Sequence, residues 1–361
     1  MKASLLIVSS LAILLIGFIS WCFYSSGTKP VHRRSLEVSN ALKAQINLEV
    51  QRYSDFELND SMPPWTLIHG MIGRSHDFRI RTSSGPKLCS DVLLDELTAH
   101  PKYKRSRLVT HPTYGYVFSH GRDGTPMEFE DHQSDFVSAF LSCGVDLNRR
   151  IVIDDHAPNI RLSDIWDTEL LGTSGFTDVS WTVWALLMSS PDRTWTNRFG
   201  ERYSLDTLVR QHLANEEQGV ACFGTHWRMG LAQVVLLGRQ HLSPETYRLA
   251  ENRLAELVAV ERNVTASGMF GGADSRLPPS EGNQDAALLL YQGHTLEWLM
   301  VAFQCCSEIS AFDDAQQWVN SGATALQHLL GSRNCSDMNY GSYSHAINGL
   351  RAFLHNSDGV E

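Results

Sequence analysis

Positive charge is in short supply. The 361 residues carry 30 Lys and Arg against 40 Asp and Glu, a formal net charge of −10 at pH 7. An acidic surface repels a phosphate backbone, which argues against a nucleic-acid partner. The basic cluster Lys102, Lys104, Arg105 and Arg107 is short enough to be a solvated loop. Cysteine is sparse as well. Beyond the first 26 residues it occurs at Cys89, Cys143, Cys222, Cys305, Cys306 and Cys335, which fits neither a dense disulfide scaffold nor the paired C-x-x-C spacing of a zinc ribbon. One or two bridges remain open, without named pairs. Low-complexity sequence is scarce, and the hydrophobic content is 43%. About 330 residues of this composition suffice for one large globular domain.

The first 26 residues stand apart. From Leu5 to Tyr24 there is no charge, and about 20 such residues cross a bilayer. Trp21-Cys22-Phe23-Tyr24 occupies the place where a cleaved signal needs small residues. The expectation is therefore a retained single-pass transmembrane anchor over 1–26, a linker over 27–34 and a large domain over 35–361. Lys2 on one side and Lys29, Arg33 and Arg34 on the other leave the positive-inside count undecided. Export of the large domain is the usual outcome for an N-terminal anchor, so an extracytoplasmic location is expected.

The large domain is organised around Ala221-Cys222-Phe223-Gly224-Thr225-His226-Trp227-Arg228-Met229-Gly230, which runs into the apolar stretch 231–237. A turn glycine, a capping hydroxyl and a histidine stand at the mouth of a helix that is apolar on nearly every face, and such a helix must be buried. The arrangement recurs. His69 follows Trp65, His132 precedes Phe136, His294 precedes Thr295 and His345 precedes Ala346. A further apolar run, 176–188, lacks its histidine. The spacing is consistent with six units of roughly 50 residues, a length typical of paired helices. Amphipathic partners are expected over 35–52, 163–171, 204–215, from Ser243-Pro244-Glu245 onward, and over 312–330. The fold predicted is a mostly α (α/α)6 toroid of six helical hairpins, with a small β insertion at about 77–130 that contains a short helix over 90–100. The glycine- and proline-rich segment 264–285 is long enough for a lid or binding loop.

If the inner helices all start at one end, His69, His132, His226, His294 and His345 converge with the helix N-termini on one polar cavity. Positive dipole ends there lower imidazole pKa values and keep the rings neutral, fit to act as a base or a metal ligand. Glu297, Asp135 and Cys222 are placed to join them. One such histidine alone is more often a cap or a hydrogen-bonded core group. The candidate catalytic residues are His226 as base, Glu297, and Tyr340 or Tyr343 as proton donor. Candidate substrate-binding residues are His69, His132, Arg228, His294, His345, Trp227 and Trp298. A metal cofactor is one reading of the histidines, with its identity unknown. Glu297 has an equally good structural reading as the partner of an arginine on a neighbouring helix. Trp181, Trp184, Trp227 and Trp298 either fill bulk or make a wall for a sugar ring or an isoprenoid.

The stretches Gly224-Thr225-His226-Trp227-Arg228-Met229-Gly230 and Gly293-His294-Thr295-Leu296-Glu297-Trp298-Leu299, with Trp65 to Gly70, resemble an uncharacterised membrane-anchored bacterial family of planctomycete type. Phe223 stands where those proteins tend to have a further glycine. More distantly, the helix-pair repeat is similar to the α/α toroids of terpene cyclases, protein prenyltransferases and glycan-processing lyases. Asn197-Arg198-Phe199-Gly200 and Ser267-Gly268-Met269-Phe270 look like worn repeat turns of the cyclases. The chain has no D-x-D-D acid motif and no Asp-x-Cys pair. Fold-level likeness does not fix function. The reading is an anchored lyase or hydrolase acting on an extracytoplasmic glycan or similar polar small molecule. The alternatives are an anchored, non-catalytic scaffold for a ligand or partner and an isoprenoid-handling enzyme near the membrane.

Overall fold

The computed structural model describes residues 36–74, 77–97, 109–110, 113–119, 132–153, 160–175, 177–215, 222–265, 270, 284–306, 314–332 and 340–357. All of them belong to one compact unit, Arg34–Glu361.

The fold is mostly α-helical with minor β strands. Twelve α-helices lie among the described residues: α1 (Asn40–Asp55), α2 (Pro64–Arg74), α3 (Cys89–Asp91), α4 (Asp135–Ser142), α5 (Leu162–Gly172), α6 (Ser180–Ser189), α7 (Leu205–Ala214), α8 (Thr225–Leu237), α9 (Pro244–Val264), α10 (Gln284–Cys305), α11 (Ala315–Gly331) and α12 (Tyr340–Ser357). α3 runs on as a π-helical turn, Val92–Leu97, where a helix over 90–100 was expected.

The even-numbered helices touch in a cycle. α2 packs on α4, α4 on α6, α6 on α8, α8 on α10, α10 on α12, and α12 back on α2. Composition explains why these six are inside. α8 buries Leu231, Ala232, Val234 and Val235 together with Thr225 to Arg228, so it has no face to offer water. The odd-numbered helices are amphipathic or short and lie against this ring. α1 touches α11 and α12, α7 touches α6 and α8, and α9 touches α8, α7 and α10.

Their ends follow local chemistry. Ser39, Ser204 and Ser243 accept hydrogen bonds from backbone amides at the starts of α1, α7 and α9, and Pro244 fills a position whose amide needs no partner.

Among the described residues four two-stranded antiparallel strand pairs decorate the helices. β1 (Arg79–Thr82) with β2 (Gly85–Leu88) and β3 (Val109–Thr110) with β4 (Val117–Phe118) fall where the β insertion was expected. β5 (Arg150–Ile151) with β6 (Ile160–Arg161) and β7 (Thr194–Thr196) with β8 (Arg202–Ser204) were not anticipated. Each of these lies immediately before an outer helix and is too short to show an alternating pattern.

The fold class and the location need a correction. No helix among the described residues is long and apolar enough to cross a membrane, and the expected anchor over 1–26 lies outside them. The transmembrane helix, the signal-anchor reading, the membrane as a partner and the single-pass extracytoplasmic location are therefore not supported. A second correction concerns α10. It starts at Gln284, well before Gly293, so His294 sits in mid-helix instead of at a helix mouth. Of the segment 264–285 expected as a loop, 266–269 and 271–283 lie outside the described residues. Phe270 is held by Gln292, whose side chain both accepts from its amide (3.0 Å) and donates to its carbonyl (2.6 Å).

α10 and α12 approach backbone to backbone, and glycine permits it. A Cβ on Gly293 would stand 2.5 Å from the Ala346 amide nitrogen and 2.7 Å from the His345 carbonyl carbon, and one on Gly349 would stand 2.9 Å from the Gly293 carbonyl oxygen. These are backbone atoms, which cannot swing away. Gly293→Ala is expected to destabilise the fold by about 1–3 kcal/mol in denaturant unfolding. Gly175→Ala, whose Cβ meets nothing within 4 Å, is the control and is expected to leave stability nearly unchanged.

Candidate functional site

The approach of α10 to α12 brings His294 and His345 into face contact, with ring centroids 3.6 Å apart and planes at 37°. Glu297, one turn after His294, lies beneath both. Its Oε2 accepts from His294 Nδ1 at 2.9 Å, and His345 Nδ1 is 3.1 Å from each carboxylate oxygen. Asn348, one turn after His345, donates to Oε1 at 2.8 Å.

The other imidazoles gather around this pair. His226 Nε2 is 3.2 Å from His294 Nε2, with the rings edge to face. His132 stands edge-on to His226 at 4.8 Å, and His69 edge-on to His345 at 5.1 Å. His69 donates from Nδ1 to the Trp65 carbonyl at 2.7 Å. α6, the inner helix without a histidine, supplies Trp181, whose indole lies 4.8 Å from the His226 ring and stacks on Trp184. All five histidines named from the sequence thus share one place with Glu297.

The electrostatic cause differs from the one expected. Burial pushes the His226 and His69 imidazoles well below their ordinary value, with the other imidazoles adding to it, and takes His294 down to about 4. Burial and the neighbouring rings set these shifts, and His294 itself is in mid-helix, away from a helix end. For Glu297 burial alone would raise the pKa, but its imidazole neighbours outweigh that and hold it at about 2. At neutral pH Glu297 is therefore a carboxylate and His69, His226 and His294 are neutral rings, the state that metal binding requires.

Other candidates are placed elsewhere. Arg228 pairs with Glu261 of α9 at 3.0 Å, both side chains 1% exposed, and its guanidinium lies over the Trp298 ring. Trp227 stacks on His212 and donates to its carbonyl at 2.7 Å. Arg228 and Trp227 thus face the outer helices α9 and α7. Tyr340 is stacked on Tyr53 with Phe56 nearby, and Tyr343 is buried on α12. The ion-pair reading offered for Glu297 belongs instead to Arg228 and Glu261.

Sequence reasoning missed Asn348 and Glu169. Asn348 was detectable, because it follows His345 at the same three-residue offset by which Glu297 follows His294. Glu169 had no local signal. It lies on the buried side of α5, beside the turn that carries His132, where Gln133 donates to its carbonyl at 2.9 Å. Burial pushes its carboxyl up to about 8; the Ser134 hydroxyl opposes the shift and the Asp135 carboxylate adds to it.

The chain is thus a helical protein with two groups of side chains close enough to hold a metal ion: His294, Glu297 and His345, and His132, Cys222 and His226, the donor atoms of each lying within 4.8 Å of one another. No family model, no curated protein and no solved structure matches it. The reading as an anchored lyase or hydrolase on an extracytoplasmic glycan is corrected along with the anchor it presupposed, as are the anchored scaffold and the membrane-proximal isoprenoid enzyme.

Two stability predictions follow from this geometry. Arg228→Met alone leaves Glu261 as an uncompensated buried charge and is expected to cost about 3–5 kcal/mol. Arg228→Met with Glu261→Leu should recover most of that loss in the same unfolding measurement. Glu169 is protonated in the fold up to about pH 8, but in the unfolded chain only up to about pH 4.3. The folded state therefore binds the extra proton in that window, and stability from this group falls as pH rises through it. Glu169→Gln should flatten that decline in Tm measured from pH 4.5 to 8.

Proposed function

We propose that the protein is a metalloprotein that binds a zinc-class ion through the Nε2 atoms of His226, His294 and His345, with Glu297 orienting the rings from behind. The observation that carries this is the 3.2 Å separation of His226 Nε2 and His294 Nε2. Two imidazole nitrogens on one tetrahedral ion, each at about 2.0–2.1 Å, stand about 3.3–3.4 Å apart.

Tautomer chemistry supports the same donor atoms. A carboxylate beside an imidazole nitrogen requires that nitrogen to carry the proton. Glu297 therefore fixes hydrogen on Nδ1 of both His294 and His345 and leaves their Nε2 lone pairs bare. With the His294 Nε2 lone pair bare, His226 Nε2 at 3.2 Å faces it either as an N–H donor or, with its own lone pair free, across a shared cation. A carboxylate that holds the far nitrogen of a metal-bound histidine is a recurrent second layer of metal sites. Asn348 keeps the carboxylate in place.

An all-imidazole set is the type found where a fourth position stays open to water, and an ion so held lowers the pKa of that water to about 7. The protein's part is to present neutral rings in a desolvated pocket walled by Trp181. Neutral, borderline donors suit zinc, copper and nickel better than magnesium or calcium.

The test is metal content and cobalt affinity of the purified chain. At least one equivalent of ion per chain is expected, with one equivalent lost in His294→Ala and in His345→Ala. Glu297→Gln, which removes an orienting acceptor and not a donor, should weaken affinity by about 10–100-fold. Equal metal content in the wild type and in both alanine variants would exclude this site.

A further inference from the structure

A second group of donors includes His226. We infer that His132, Cys222 and His226 form a second, softer metal position for a zinc-class ion, that the thiol of Cys222 is one of its ligands, and that the His226 ring is shared with the first. The inference rests on the reading of the first position and extends it to a two-ion centre.

Three observations carry it. The first is distance. Cys222 Sγ is 4.0 Å from His132 Nε2, and the donor atoms of all three residues fall within 4.8 Å of one another. Sulfur and nitrogen on one tetrahedral zinc, at about 2.3 and 2.0–2.1 Å, stand about 3.6 Å apart, so a closure of a few tenths of an ångström brings them to bonding positions. Cys222 is a reduced thiol.

The second is the backbone. Among the described residues only two that are not glycine have left-handed φ: Ser134 at 66° and Cys222 at 51°. Cys222 is a proposed ligand itself, and Ser134 lies two residues after His132. Backbone strain of this kind persists where the surroundings over-determine it, and it gathers at functional sites. Around Cys222 the conformation is locked. Its carbonyl accepts from Thr225 Oγ1 at 2.6 Å, and Gly224, at φ 77°, caps the start of α8. This turn holds a thiol at the position from which it reaches His132.

The third is His226. It is 6% exposed, its Nε2 faces His294, and its Nδ1 is buried with no hydrogen-bond partner among the described residues. A buried imidazole nitrogen left without a partner is costly in a dry site. With His132 edge-on to the same ring at 4.8 Å, a second ion held there would take up this ring nitrogen.

The chemistry is acid–base only. Cys222 Sγ loses its proton to solvent and donates the freed electron pair to the ion, and a His226 ring that ligates through both nitrogens also gives up its remaining N–H proton, so filling both positions releases two protons and changes no oxidation state.

Titrating the full-length protein with cobalt(II) under reducing conditions tests the inference. The wild type should take up two equivalents and develop thiolate-to-cobalt charge-transfer absorption in the near ultraviolet. Cys222→Ser should bind one equivalent without that band. His132→Gln removes the same position from its other side, and should do the same if the serine variant folds poorly. His345→Ala should keep the band and lose one equivalent, and His226→Ala should weaken both positions. A wild type that binds one equivalent with no thiolate band, unchanged by Cys222→Ser, overturns the second position and leaves the first standing. No binding of cobalt at all overturns the first reading, and the second with it. Loss of only one position in His226→Ala overturns the sharing of the ring.

Discussion

The wiring of the central cluster depends on one buried carboxylate held between two imidazoles. A lone carboxylate in this interior would cost several kcal/mol and would take up a proton to avoid it. Glu297 stays ionised because His294, His345 and Asn348 all donate to it. In return it decides which nitrogen of each ring holds hydrogen, and so what each ring offers on its opposite edge. None of this is available to the helices separately. Glu297 belongs to α10, while His345 and Asn348 belong to α12, and the two helices come close enough only because Gly293 and Gly349 present no side chain at the crossing.

The remaining inner helices supply the other edges of the cluster at decreasing cost to regular structure. α2 contributes His69, with its ring fixed by its own helix through the Trp65 carbonyl. α8 contributes His226 from its first turn, directly after a tight turn with left-handed Cys222 and Gly224. α4 contributes His132 from outside its start, after which Ser134 takes an unfavourable φ. The departures from relaxed backbone geometry at non-glycine residues lie next to the histidines of α4 and α8 and to no others among the described residues. Packing away from this end is ordinary. Arg228, Glu261, Trp227 and His212 form an internal layer between α8 and its outer neighbours, with the Arg228 guanidinium over the Trp298 ring of α10.

The mostly helical character of the chain is legible in the sequence because all-apolar helical runs alternate with amphipathic ones, a pattern set by local composition. The recurrence of histidine ahead of or within the apolar runs is legible for the same reason, and Cys222 and Asp135 could be flagged by proximity. What could not be read was helix length, which misplaced His294 at a helix mouth. α10 continues N-terminally from Gly293 through residues whose glycine-rich context reads as a loop. The short hairpins before α5 and α7 are two or three residues per strand, below the length at which alternation carries information.

The sequence by itself determined which residue types were on hand: five histidines on apolar helices, an acid one turn after one of them, a cysteine in a glycine turn, and too little positive charge for a nucleic-acid surface. Their roles were decided in three dimensions. Arg228 and Glu297 look alike in the sequence, each a charge in a buried run, and the fold sends one to an ion pair with α9 and the other to the imidazoles. The reason is physical: a buried charge takes its character from the groups that replace its water, and those groups come from other parts of the chain.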